Sequence, residues 1–256
     1  MRQTQLSHDK IVCGIDEAGR GAVIGPLTIV GVALPETKLE KLVDLGVKDS
    51  KQLSPEKRNE LFGKILKLTA KWECAEISPQ CIDAAIKLEK SNLNQLELQH
   101  MAQICLSLEP DIVYIDALGP DARRFERRLR EMIQLEGRQT KLGVSRKNDS
   151  IGGYSSEKSN IQIIAKNKAD ETIPVVSAAS ILAKVQRDRR IETLKMESAE
   201  DFGSGYPSDP RTRAALRTWI TQGDLPAFVR MNWETIHELR NEVSLSQNRP
   251  LTYWFK

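Results

Sequence analysis

The sequence predicts an α/β fold, a sheet with helices packed on both faces. Two observations predict it. Short apolar runs of strand length alternate with longer stretches of helical periodicity along most of the 256-residue chain. Several of those runs end on a carboxylate and a turn, the place where open α/β sheets gather their functional groups. With 40% apolar and 29% charged residues, the chain has enough apolar material for a full core.

Ile11 to Ile15 is a buried strand leading into a tight turn, and Leu27 to Leu34 is its hairpin partner. Pro55 to Ala70 has helical periodicity, with Ser54 placed to cap it and Glu56 and Lys57 following. Lys71 to Ile77 is a third strand, followed by helices over Gln80 to Leu88 and Asn92 to Leu108. The second of these carries Leu98, Ala102 and Cys105 at helical spacing. Asp111 to Ile115 is a fourth strand and ends on Asp116. A basic helix runs from about Pro120 to Leu135, and Ile161 to Ala165 is a fifth strand. Pro174 opens a long helix through Ala178, Ala179, Leu182 and Val185. From about Ser198, a loop rich in Gly, Pro and Ser (Gly203 to Pro210) leads into mostly helix. The expected division is a main domain over 1–197, a C-terminal helical region over 198–245 and a tail over 246–256.

No apolar run is long enough to span a membrane. Met1 to Lys10 is polar and lacks the apolar centre of a signal peptide, so the expected location is the cytoplasm. Cys13, Cys74, Cys81 and Cys105 form no C-x-x-C pair and have no histidine at metal-ligand spacing. They are expected to be reduced, buried, structural thiols. His8, His100 and His237 lie far apart, which gives a zinc site or a Ser-His-Asp triad little support. The net charge is only +3, but residues 121–149 hold nine Lys/Arg against five Asp/Glu. Lys184, Arg187, Arg189 and Arg190 form a second basic cluster, broken by Asp188. Such clusters fit phosphate binding. Each alone also fits a solvated helix face.

Four carboxylates stand out by position. Asp16 and Glu17 end the first strand, Asp116 ends the fourth, and Asp170 follows the fifth. Strand ends converge near the centre of an open α/β sheet. Carboxylates meeting there repel one another unless cations hold them ionised. Oxygen-only ligands suit Mg²⁺ or Mn²⁺. Two such ions can activate a water and stabilise the leaving oxygen of a phosphodiester, which is nuclease chemistry. A single carboxylate at a strand end also serves as a helix cap, and Asp170 alone fits that role equally. Gly19-Arg20-Gly21 follows after one alanine. Glycines there let backbone N–H groups approach a phosphate or sugar, although the same pattern is found in plain hairpin turns.

The combination is more specific than its parts. Asp16-Glu17-Ala18-Gly19-Arg20-Gly21 with Ile24-Gly25-Pro26 resembles the opening signature of the ribonuclease HII family, the type 2 ribonucleases H. Asp49 to Ser54, Tyr114-Ile115-Asp116, Lys168-Ala169-Asp170 with Val175 to Val185, and Gly203 to Pro210 resemble that family's later motifs, in family order. Lengths and tail resemble the archaeal and eukaryotic-catalytic-subunit branch more than the bacterial one. The resemblance implies an RNase H-like fold, with a five-stranded mixed sheet flanked by helices and a C-terminal helical region that adds duplex-binding surface. It implies an endonuclease that hydrolyses RNA in RNA–DNA hybrids. It also implies cutting 5′ of single ribonucleotides in duplex DNA, leaving 3′-hydroxyl and 5′-phosphate ends, as in ribonucleotide excision repair.

Carried over residue by residue, Asp16, Glu17, Asp116 and Asp170 would be the catalytic and metal-binding carboxylates, with two Mg²⁺ or Mn²⁺ ions during catalysis. Gly19, Arg20 and Gly21 would contact the ribose 2′-hydroxyl, and Tyr206 would stack on the next, deoxy sugar. Lys51 and Lys184 would hold phosphates. Asp188 is expected to pair with a neighbouring arginine. Ala22 departs from the family pattern, where many relatives carry proline. The helix from Arg123 to Arg130 fits a duplex-backbone contact as well as a solvated face.

The final residues resemble a clamp-binding peptide, with Leu251 as the aliphatic plug and Trp254 and Phe255 on the aromatic positions. Asn248 stands where that pattern has glutamine. The implied partners are hybrid or ribonucleotide-containing duplexes and the DNA sliding clamp, for a monomeric protein. The rival readings are a hybrid-binding module of the same fold and a DNA-only nuclease. Four carboxylates facing phosphates argue against the first, and the ribose-reading motifs argue against the second.

Overall fold

The computed structural model describes residues 9–47, 53–87, 93–119, 121–141 and 161–247. Its strands are β1 (Ile11–Ala18), β2 (Leu27–Pro35), β3 (Lys71–Ile77), β4 (Ile112–Asp116) and β5 (Gln162–Lys166). Its helices are α1 (Leu39–Asp44), α2 (Pro55–Leu68), α3 (Pro79–Lys87), α4 (Leu93–Leu108) and α5 (Ala122–Lys141). They continue with α6 (Ala169–Thr172), α7 (Pro174–Ser198), α8 (Pro210–Gln222) and α9 (Glu234–Gln247). The chain divides into two compact units, one of residues 1–18, 28–75 and 94–185, the other of 19–27, 76–93 and 186–256.

The first unit is built on a five-stranded mixed sheet in the order β3-β2-β1-β4-β5. β1 runs antiparallel to β2 and parallel to β4, and β4 runs parallel to β5. β2 is buried along almost its whole length, as a strand covered on both faces must be. The covering helices follow from their sequences. Ser54 caps α2 by accepting from Lys57 N at 3.3 Å, and Pro55 opens the helix. In α5, Phe125 and Leu129 are buried four residues apart, while Arg123, Arg124, Arg127 and Arg130 are exposed.

Two glycines set how closely helices approach the central strands. A Cβ on Gly14 would overlap the backbone carbonyl of Val175, in the first turn of α7. A Cβ on Gly31 would overlap Ile104 of α4. Gly14 and Gly31 sit at neighbouring registers of β1 and β2 and face opposite sides. α7 therefore covers one side of this pair and α4 the other.

The second unit has its own core, made by Val23, Ile24, Ile191, Leu194, Phe202, Leu216, Trp219, Val229, Ile236 and Leu239. Phe202, Trp219 and Phe228 pack as a trio with ring centroids 5.3–6.1 Å apart. Asp209 caps α8 by accepting from Arg211 N at 2.9 Å. The helices expected at the C-terminal end are thus joined in one unit by residues 19–27 and 76–93.

One expectation is corrected. The four cysteines are free, and Cys13 and Cys105 are buried, but Cys74 is half-buried and Cys81 is exposed. On α3 the buried stripe is taken by Ile82 and Ala85, and Cys81 falls beside it.

Gly14→Ala is expected to lower stability by about 1–3 kcal/mol, because Val175 offers backbone rather than a side chain that could move. Where the new methyl fits, the same change stabilises by several tenths of a kcal/mol or more. A urea titration that shows Gly14→Ala as stable as the parent would rule out this packing.

Candidate active site

Within the first unit, the parallel register of β1 and β4 pairs Ile15 with Ile115. One residue further, Asp16 and Asp116 stand at the same level on adjacent strands, on the side of the sheet covered by α7. Asp170 lies in α6, directly after β5, and is buried. Asp116 Oδ1 accepts from Ala169 N at 3.1 Å, which ties the β4 end to the start of α6. The Ser177 hydroxyl, in the first turn of α7, donates to the Asp170 backbone carbonyl.

The Asp16 carboxyl is held above its ordinary range. Burial pushes its carboxyl up to about 6, and the charge of Asp170 adds to the rise. The Ser180 hydroxyl, a backbone hydrogen bond at Glu17 and the Lys184 ammonium pull the other way. Lys184 Nζ donates to Ser180 Oγ at 2.7 Å, so Ser180 accepts from the lysine and donates to Asp16. Both residues lie on α7, one turn apart, and the closeness allowed by Gly14 brings that helix face to Asp16. Ser180 lies within the Val175 to Val185 stretch, where the sequence alone assigns it no role. Its burial among apolar neighbours on α7 is the signal that marks it.

Glu17 is placed differently. Successive strand residues face opposite sides of a sheet, so Glu17 starts from the α4 side while Asp16 starts from the α7 side. Among the described residues, no group of three or more Asp, Glu, His or Cys side chains stands close enough to form a ready-made metal site. The donor chemistry still fits a hard cation. Asp16, Asp116 and Asp170 offer only oxygen, and Mg²⁺ characteristically takes one or two carboxylates and keeps several waters. A cation would also relieve the repulsion that raises Asp16.

In the second unit, residues 19–25 form a turn held from inside by two buried guanidinium groups. Gly19 has φ +85°, and a Cβ there would overlap Arg187. Arg187 is buried, donates to Ser204 O at 3.0 Å and lies 4.4 Å over the Tyr206 ring. Burial pulls its pKa below the ordinary arginine value, against the opposing pull of Tyr206 and Asp188. Arg230 is fully buried and donates to Gly19 O at 2.7 Å, Arg20 O at 3.0 Å and Gly25 O at 3.2 Å. Gly205 O accepts from Val23 N and Ile24 N at 2.9 and 3.1 Å, tying the Tyr206 loop to the same turn. Arg20 and Gly21 are exposed at its tip.

The structure thus brings Asp16, Asp116 and Asp170 to one end of the sheet, with Lys184 beside them. It gathers Gly19, Arg20, Gly21 and Tyr206 around one turn. Asp188 Oδ1 lies 4.0 Å from Arg187 Nη1, a loose version of the expected pair. The basic cluster at 184–190 is not one surface, because Arg187 is buried. Arg187 and Arg230 had no functional reading as single residues. Lys51, Leu251, Trp254 and Phe255 lie outside the described residues.

A family model described as Ribonuclease HII matches residues 13–236. The Ribonuclease HII of Thermococcus kodakarensis is 41% identical over 235 residues, covering 91% of this chain and 90% of that protein. The crystal structure of ribonuclease H2 from Pyrococcus horikoshii is similar with a TM-score of 0.75 and 38% identity, covering 91% of this chain and 99% of that one. The structure of a PCNA:RNase HII complex from Archaeoglobus fulgidus matches with a TM-score of 0.72 and 39% identity, covering 88% of this chain and 95% of that one.

The Asp16 shift has a measurable consequence in EDTA. An unfolded aspartate titrates near about 3.9, whereas in the folded protein Asp16 is held at about 6. Between those values the folded state binds more protons, so stability from this group is present below pH 4 and lost as pH rises through 6. The loss amounts to roughly 3 kcal/mol. Asp16→Asn removes the titration. The variant should match the parent near pH 4 and be more stable at pH 7. Parallel stability–pH curves for the two proteins would contradict the shift.

Proposed function

The chain belongs to the ribonuclease HII family, and we propose that it cuts not only hybrids but also duplex DNA 5′ of single embedded ribonucleotides. As a type 2 ribonuclease H it is an endonuclease acting on RNA–DNA hybrids. In the proposed finer activity the phosphodiester is hydrolysed to leave 3′-hydroxyl and 5′-phosphate ends, the opening incision of ribonucleotide excision repair. The observation that supports the hydrolytic chemistry is the placing of Asp16 and Asp116 one residue beyond the Ile15–Ile115 pair on adjacent parallel strands, with Asp170 close enough for its charge to be felt at Asp16.

Asp16, Asp116 and Asp170 would hold Mg²⁺ or Mn²⁺, joined by Glu17 once its side chain swings to the strand end. Two bound ions would supply an activated water and stabilise the leaving oxygen. Ser180 fixes one oxygen of Asp16, and Lys184 keeps a positive charge beside it that attracts the scissile phosphate. Gly19, Arg20 and Gly21 would meet the 2′-hydroxyl, the one group that separates ribose from deoxyribose. Tyr206, its ring held against Arg187, would stack on the deoxy sugar that follows. Lys51 would hold a neighbouring phosphate.

The tail adds a partner. The archaeal relative in the PCNA complex supports docking of this chain on a sliding clamp, and Leu251, Trp254 and Phe255 would form the apolar plug.

Three duplexes test the activity: one with a single ribonucleotide, an all-DNA control and an RNA–DNA hybrid, each with Mg²⁺ and with EDTA. Metal-dependent cutting of the first and third alone is expected. Asp16→Asn should lose several kcal/mol of transition-state stabilisation, on the order of a thousandfold in rate. An intact ribonucleotide duplex after incubation with the parent protein and Mg²⁺ would refute the finer activity. Separately, deleting residues 249–256 should weaken clamp binding and leave cleavage of short substrates unchanged. A deletion that lowers thermal stability but binds the clamp as before would show the tail serving its own fold.

A further inference from the structure

We infer that Arg230 is a positioning residue for sugar recognition: its guanidinium turns the Gly19–Gly21 backbone so that two amides face the ribose. The inference rests on the reading of that turn as the 2′-hydroxyl contact. Arg230 itself touches no substrate in this scheme.

The argument begins with the peptide bond. Each unit is planar and trans, so its C=O and N–H point in opposite directions. Arg230 Nη2 draws the Gly19 carbonyl inward at 2.7 Å, and Nη1 draws the Arg20 carbonyl inward at 3.0 Å. The amides sharing those two planes belong to Arg20 and Gly21, and they are therefore turned away from Arg230, toward the exposed tip. Ala22 N donates back to Gly19 O at 3.2 Å and closes the turn. Gly21 has no atom within 4 Å of where a Cβ would stand, so the approach to the tip is open.

The guanidinium is itself fixed. Its Nε donates to Gly25 O at 3.2 Å, its plane lies 4.8 Å over Trp233, and its own backbone N donates to Val23 O at 2.9 Å. Asp83 on α3 accepts from Met231 N at 2.8 Å and Asn232 N at 3.0 Å, and Gln80 donates to Ala227 O at 2.6 Å. α3 thereby pins the segment that carries Arg230. Only a planar fork with donors on three nitrogens spans three carbonyls in this way. Lysine would keep the charge and lose the geometry.

The test compares affinities rather than rates. Binding of the full chain to a duplex with one ribonucleotide and to its all-DNA counterpart is measured in EDTA, for the parent, Arg230→Lys and Trp233→Leu. DNA affinity comes mainly from phosphate contacts, so the ratio of the two dissociation constants isolates the sugar. In Arg230→Lys the ratio should fall by about tenfold, the scale of one lost charge-assisted hydrogen bond. Trp233→Leu, which loosens the guanidinium without removing it, should lower the ratio less. A purely structural role would weaken both duplexes together and leave the ratio where it was. An unchanged ratio in the folded Lys variant overturns the inference, and if that variant does not fold, an unchanged ratio in Trp233→Leu does so. A parent protein with no preference for the ribonucleotide duplex would instead overturn the reading of the turn, and this inference with it. That failure is visible before any substitution is made.

Discussion

The packing of α7 against β1 rests on one absent methyl group. At Gly14 the strand backbone meets the Val175 carbonyl directly. That closeness sets how deeply the first turns of the helix lie. Ser180 and Lys184 then stand on the face that reaches Asp16, and Ser177 at the start of the helix reaches the Asp170 backbone. Any side chain at position 14 would lift the helix and separate these groups together. The groups around the strand-end carboxylates are thus arranged by a residue with no polar chemistry of its own.

The same packing explains why the carboxylate site is costly in the absence of cations. Asp16 is buried beside a second carboxylate, and only a hydroxyl, a backbone amide and an ammonium counter that environment. A fold selected for stability alone would place an amide or an apolar group there. The strain is local and electrostatic, and positive charge relieves it. The second unit solves the opposite problem. Its turn of inward carbonyls is satisfied by one buried cation, so Arg230 does for the backbone what a metal would do for carboxylates.

Much of this was legible in the sequence. Strands at 11, 27, 71, 112 and 162 follow from apolar runs, and the helix starts at Pro55 and Pro174 follow from proline and cap chemistry. Asp16, Asp116 and Asp170 were legible because each sits at or just after a strand end. α1 was not, because six residues are too few to show a period. The facing of Glu17 was not drawn from the motif, although strict alternation along β1 contains it. Arg187 and Arg230 were hidden for a different reason. Arginine reads as a surface residue, and only the folded backbone reveals carbonyls and an aromatic ring waiting for it. The composition of the second unit was hidden too, since its pieces come from three separated stretches.

That last arrangement bears on the order in which the protein acquires its properties. Gly19 and Arg230 are 211 positions apart, and the bond between them closes a loop that contains nearly the whole protein. Every residue of the first unit has been synthesised by position 185. During translation, the sheet that carries the carboxylates is complete in sequence before the arginine that bonds the 19–25 turn exists. A product truncated before Arg230 therefore keeps the acidic strand ends while its turn lacks the buried guanidinium that draws its carbonyls inward.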